Sequence, residues 1–120
     1  MANRVLIADD AQFMRDLLRD IFEQAGWDVV GEAENGKQAV EQYKLLKPDL
    51  VTMDIVMPLR SGIEALSDII AADPGARVVM CSALGQESMV MEAVKAGARD
   101  FIVKPFQQEQ VERIVQRVMA

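Results

Sequence analysis

Short apolar runs alternate along this chain with longer segments whose apolar residues recur at helical spacing, and the alternation repeats five times. Val5 to Ala8 is the first run, and two acids, Asp9 and Asp10, end it. Phe13, Met14, Leu17, Leu18, Ile21, Phe22 and Ala25 then share one predicted helix face, which Gly26 terminates. Trp27 to Ala33 is a weaker run broken by Asp28, Gly31 and Glu32, a mixture that suits a half-exposed edge strand. Asn35-Gly36 turns the chain, and Asn35 with Gln38 predicts a capping box. The second helix carries Ala39, Val40, Tyr43 and Leu46 inward, and Pro48 closes it.

Leu50 to Met53 is too short for a helix and rich enough in strand formers to be a buried strand. Asp54 follows at once, and Pro58 forces an extended or turning backbone within the loop Ile55 to Ser61. Ser61 with Glu64 predicts a second capping box, ahead of an apolar stripe of Ile63, Leu66, Ile69 and Ile70. After the turn Asp73-Pro74-Gly75 come a strand, Arg77 to Cys81, ended by Ser82, and a helix over Gln86 to Ala96. Met89, Val90 and Met91 are consecutive, too wide for one buried stripe, so at least one of them faces outward. Asp100 to Val103 is the fifth strand, ended by Lys104-Pro105. The last helix has Val111, Ile114, Val115 and Val118 in register, with Glu109 and Arg113 as an i,i+4 pair.

Five strand-then-helix units predict an α/β fold, a doubly wound parallel sheet with helices on both faces. With 120 residues, 51% of them hydrophobic and 27% charged, the chain suits one domain over residues 1–120 with a single core. A formal charge of −6 argues against nucleic-acid binding, which needs a basic face. No apolar run is long enough for a membrane span or a signal peptide, so a cytoplasmic protein is expected. The single Cys81 allows no internal disulfide and reads as a buried, inert thiol.

In a parallel sheet the carboxyl ends of the strands gather along one edge, where open α/β sheets bind ligands. There this chain places Asp9, Asp10, Asp54, Ser82 and Lys104, from strands one, three, four and five. Three clustered aspartates repel one another without a cation. Oxygen donors with no His or Cys select a hard ion, and Mg²⁺ retains waters and shares its sites with phosphate. Taken singly, Asp9 and Asp10 suit a helix N-cap and its neighbour, Ser82 a turn and Lys104 a solvated surface. Four separate strand ends converging on one chemistry favour a site.

The motifs Asp9-Asp10, Asp54-x-x-Met-Pro-x-x-x-Gly62, Ser82-Ala83 and Lys104-Pro105, in this order and over essentially the whole chain, resemble the receiver domain of two-component response regulators. Val5-Leu-Ile-Ala-Asp-Asp-Ala11 and Lys104-Pro105-Phe106 are most similar to the single-domain chemotaxis members. The resemblance implies a flavodoxin-like, three-layer α/β/α fold with strand order 2-1-3-4-5. It implies that Asp54 takes a phosphoryl group from the phosphohistidine of a histidine kinase. Asp9, Asp10, Asp54 and the backbone carbonyl of Val56 would hold Mg²⁺, Asp10 directly and Asp9 partly through water. Lys104 and the Ser82 hydroxyl would each bind a phosphoryl oxygen, and the Lys104-Pro105 peptide would be cis. The protein would catalyse only its own phosphorylation and dephosphorylation.

A readout is implied as well. Ser82 moves toward the phosphoryl group and Phe101 follows, altering the face of helix four, strand five and helix five toward a target such as the flagellar motor switch. Phe101 stands where many relatives have Tyr, so no hydroxyl takes part. Met89 to Met91 with Phe106 nearby suggest a partner surface, or else core-filling methionines. Arg60 and Ser61 depart from the Met and Asp or Asn of many relatives and could alter partner recognition. Val56 and Leu84 are apolar and cannot orient an attacking water, so a long-lived acyl phosphate is expected unless an auxiliary phosphatase acts. A phosphorelay receiver, a receiver cut from a larger regulator and a docking module that works without phosphorylation are alternatives within the family. A haloacid-dehalogenase-type phosphatase needs Asp-x-Asp after the first strand, which Asp9-Asp10 fits poorly. An FMN carrier needs a Ser/Thr/Gly-rich phosphate loop there, and none is present.

Overall fold

The strands of the computed structural model, which describes residues 2–120, are β1 (Arg4–Ala8), β2 (Asp28–Ala33), β3 (Leu50–Asp54), β4 (Val78–Ser82) and β5 (Asp100–Val103). Between and after them run α1 (Gln12–Gln24), α2 (Gly36–Leu46), α3 (Gly62–Ala72), α4 (Glu87–Lys95) and α5 (Gln108–Met119). The strands are all parallel, in the order β2-β1-β3-β4-β5. Successive side chains of a strand point to opposite faces, so a central strand covered on both sides is apolar at nearly every position, the buried Thr52 of β3 being an exception. Leu6, Val51, Met53, Val78 and Met80 accordingly enter one core layer, with residues of α2, α3 and α4. Val5, Ile7, Leu50, Val79, Cys81 and Ile102 enter the other, beneath α1 and α5. The mixed strand β2 is an edge, half-buried along most of its length and bulged where Val5 and Leu6 of β1 pair with Val29 and Gly31.

Register aligns the strand ends. Ala8 lies beside Met53, Asp54 beside Cys81, and Ser82 beside Val103. Asp54 and Ser82 are therefore the last residues of their strands rather than the first of the loops. The Ser61–Glu64 capping box is complete. At α2 only half of one forms: the Asn35 side chain accepts from Gln38 N, while the Gln38 side chain accepts from Glu34 N instead of Asn35.

Four local expectations are corrected. Phe13 is 73% exposed, because at 3.6 residues per turn it lies about 140° around α1 from the buried Leu18. Ala25 is also exposed, since it caps α1 beyond the last turn that packs on the sheet. Glu109 and Arg113 make no ion pair among the described residues, as the small worth of exposed pairs allows; Arg117 meets Asp100 at 2.6 Å instead. Phe106 is buried in the α1/α5 layer with Val111 and Ile114, on the inward stripe of α5, and belongs to no outward surface. Met91 does face outward, while Val90 is buried.

Candidate functional site

Each strand end delivers its side chain through a short, well-anchored piece of backbone. Asp9 directly follows β1 and is only 1% exposed. Its N–H donates to the Ala33 carbonyl at 3.0 Å, its carbonyl accepts from Arg15 Nη1 at 2.7 Å, and its Oδ1 accepts from Ala11 N at 2.9 Å. Asp10 is exposed beside it. Asp54 is held from the far side by Gly62 at the start of α3. The Gly62 N–H donates to the Ile55 carbonyl at 2.8 Å, and a Cβ on Gly62 would lie 1.9 Å from the Asp54 carbonyl oxygen. Only glycine permits that contact, which is the physical reason for the Gly in the Asp54-to-Gly62 motif. The intervening loop rests on α2 in the same way, since a Cβ on Gly36 would lie 2.0 Å from the Arg60 carbonyl oxygen. Val56 lies in this loop with its side chain exposed.

Lys104 follows β5, its N–H donating to the Ser82 carbonyl at 2.7 Å, and its peptide bond to Pro105 is cis. Its ammonium stands 3.2 Å from Asp9 Oδ2 and 3.3 Å from Asp54 Oδ1. Carboxylate oxygens of Asp9, Asp10 and Asp54 all lie within 4.8 Å of one another. Three negative groups thus face one positive group. Burial pushes the Asp54 carboxyl up to about 6, the neighbouring Asp9 charge adds to the shift, and Lys104 opposes it. Burial alone would lower Lys104, but Asp54 and Asp9 outweigh it and hold the ammonium above its usual range. The Cys81 thiol beneath is pushed far up by burial and is inert.

One atom makes the imbalance concrete. Asp9 Oδ2 is buried without a hydrogen-bond partner and has only the off-line Lys104 charge beside it. A buried charged oxygen left in that state is costly. All-oxygen donors, surplus negative charge and an orphaned carboxylate oxygen fit a hard divalent cation such as Mg²⁺.

Ser82 is 2% exposed at the same edge. It also lines an apolar groove of about 210 Å³ between α4 and β5, together with Leu84, Val90, Met91, Phe101 and Val103. Phe101 is 39% exposed there, so it and Met91, rather than Phe106, form the aromatic and methionine part of that face.

Sequence reasoning missed the support beneath Asp9. Arg15, 8% exposed, donates from Nε to Glu32 Oε1 at 2.9 Å, and Arg19 Nη2 reaches Glu32 Oε2 at 2.6 Å. Burial raises the Glu32 carboxyl, but the bonds from Arg19 and Arg15 prevail and leave it below the usual range. The available signal was helical phase: Arg15 falls about 60° from Leu18, inside the buried sector of α1.

Comparison with known proteins gives consistent matches. The family described as Response regulator receiver domain matches residues 5–116. A chemotaxis protein CheY from Thermotoga maritima is 58% identical over 118 residues, covering 98% of this chain and 98% of that protein. Its namesake from Bacillus subtilis is 56% identical over 119 residues, with 99% of each chain covered. Among solved structures, the CheX-CheY-BeF3-Mg complex from Borrelia burgdorferi matches with a TM-score of 0.93 and 41% identity, over 98% of this chain and 90% of that one.

Proposed function

The chain belongs to the response regulator receiver domain family, with CheY-type chemotaxis proteins among its relatives, and on that premise we propose that it is a phosphorylation-activated signalling switch with Asp54 as phosphoacceptor. The arrangement that carries this reading is Lys104 between Asp9 and Asp54, with the Asp10 carboxylate alongside.

Asp54 is the best nucleophile of the three. Asp9 has one oxygen engaged by Ala11 N and is almost wholly buried, and Asp10 stands at the exposed rim. An Asp54 oxygen attacks the phosphorus of a phosphohistidine on a histidine kinase. The phosphorus–nitrogen bond breaks as the phosphorus–oxygen bond forms, and its electron pair stays on the imidazole. No covalent chemistry is asked of the other residues, so they position and neutralise. Lys104 exchanges its Asp54 contact for a phosphoryl oxygen, and the Ser82 hydroxyl bonds to another. Asp9, Asp10, Asp54 and the Val56 carbonyl would hold Mg²⁺, which supplies the positive charge that lets a phosphoryl group approach the three carboxylates.

Output follows from the groove beside Ser82. Drawing Ser82 toward the phosphoryl group opens space for Phe101, which biases two packings of the α4-β5-α5 face. A chemotaxis target such as the flagellar motor switch would read that face, in the cytoplasm. Among the described residues no helix is long and apolar enough to cross a membrane. Val56 and Leu84, 56% and 84% exposed, flank the site without a polar group to orient water, which favours a slow-decaying acyl phosphate and an auxiliary phosphatase.

Incubation with acetyl phosphate and Mg²⁺ should add one phosphoryl mass to the wild type and none to Asp54→Ala or to an EDTA-treated sample. An unmodified wild type, or equal labelling of Asp54→Ala, overturns the proposal.

A further inference from the structure

We infer that Arg15, anchored by Glu32, is a positioning residue that locks the peptide between Asp9 and Asp10 and thereby sets the Mg²⁺ affinity of the acidic pocket. The inference rests on the reading of that pocket as a Mg²⁺ site.

Asp9 is tied at both ends. Its N–H is held by the Ala33 carbonyl at 3.0 Å, and its carbonyl, which is the oxygen of the Asp9–Asp10 peptide, is held by Arg15 Nη1 at 2.7 Å. With both ends tied, the plane of that peptide cannot rotate, so the directions in which the two carboxylates leave the backbone are set together. Arg15 is itself held in place. Its Nε is bonded to Glu32 Oε1 at 2.9 Å, and Arg19 Nε and Nη2 bond the other carboxylate oxygen at 3.0 and 2.6 Å. Glu32 is adjacent to Ala33, so one short piece of β2 fixes Asp9 twice: through the Ala33 carbonyl, and through Glu32 and Arg15. The planar guanidinium suits this double task because its Nε–H and Nη–H donors point in defined, different directions. Groups that orient metal-binding residues are commonly worth about tenfold in metal affinity.

The sign of the effect separates positioning from plain electrostatics. Arg15 is a cation near an anionic pocket, so removing its charge should tighten Mg²⁺ binding if charge alone matters. Removing its grip on the Asp9 carbonyl should weaken binding. Replacing it with lysine keeps the charge but loses the fork, so electrostatics forecasts no change and positioning forecasts a loss.

The test titrates the 120-residue wild type, Arg15→Met, Arg15→Lys and Arg19→Met with Mg²⁺ by isothermal titration calorimetry, with thermal melting of each to confirm folding. Arg15→Met should raise the Mg²⁺ Kd about tenfold. Arg15→Lys should weaken it in the same direction by less, and it carries the test if Arg15→Met does not fold. Arg19→Met, which leaves the Arg15 bond to Asp9, should stay within about twofold of wild type. Phosphorylation by acetyl phosphate should need more Mg²⁺ in the Arg15 variants yet approach the wild-type rate at saturation. Binding as tight as wild type or tighter in both Arg15 variants overturns the inference alone. A wild type that takes up no Mg²⁺ overturns the pocket reading and the inference with it.

Discussion

Two charged clusters meet at Asp9, and they are balanced in opposite ways. On the β2 side Glu32 is met by two guanidiniums at hydrogen-bonding distance, and one of them, Arg19, also meets Glu23 at 3.4 Å. On the Lys104 side a single ammonium, more than 3 Å from its partners, stands among three carboxylates and leaves Asp9 Oδ2 without a hydrogen bond. The first cluster resembles a brace: its charges are satisfied inside the protein, so it gains little from a ligand. The second holds surplus negative charge in a largely buried place, which only something from outside can neutralise. Burial first, and then the Asp9 charge, holds the Asp54 carboxyl up at about 6 against the opposing pull of Lys104.

The sharpest way to break the contrast is to remove the lone ammonium. Lys104→Met should destabilise the metal-free protein by about 3 kcal/mol at pH 7, because it strands two buried carboxylates, and Mg²⁺ should restore part of the loss. Urea unfolding with and without Mg²⁺ reads both effects. If the variant is as stable as wild type, the Lys104 cluster is no more strained than the Glu32 brace.

A smaller change sharpens the meaning of an orphaned atom. Thr52 Oγ1 is also buried without a partner, in mid-strand and away from the strand ends. Thr52→Val keeps the shape and removes the unmet polar group, so it should raise stability by about 1 kcal/mol and leave Mg²⁺ affinity unchanged. A loss of metal binding would mean that the orphan at Asp9 is not the special one.

The smallest expected effect lies in the brace. The folded-state value of Glu32 is held below its unfolded one, so its pairing stabilises the protein above the unfolded pKa and is lost as pH falls through the folded value. Glu32→Gln should therefore lower the stability at pH 7 by under about 1 kcal/mol, since the pair is partly solvated, and the deficit should shrink as pH falls below the unfolded glutamate value of about 4.3. A deficit that does not change with acidification would assign the loss to packing rather than charge.

Much of this was legible along the chain because it depends on neighbours in sequence. The apolar runs of β1, β3 and β4 read as buried strands without reference to any other element, and Ser61–Glu64 needs only one helical turn to recognise. Phe13 was misread because a stripe drawn by composition accepts any apolar residue near the seam, whereas helical phase turns this one to solvent. Phe106 was misplaced because position after Lys104-Pro105 does not say which layer it enters. Arg15 was passed over because a guanidinium on a helix is ordinarily exposed, and its burial depends on a glutamate seventeen residues away.

By itself, then, the sequence determined the succession of strands and helices and which strands end in acid, hydroxyl or amine. Those features follow from periodicity and local backbone chemistry. Tertiary structure alone decided that Lys104 reaches both Asp9 and Asp54, that Gly62 abuts the Asp54 carbonyl and that Arg15 grips the peptide before Asp10. Each is a distance between residues remote in the chain, and such distances exist only once the sheet has chosen its order and register.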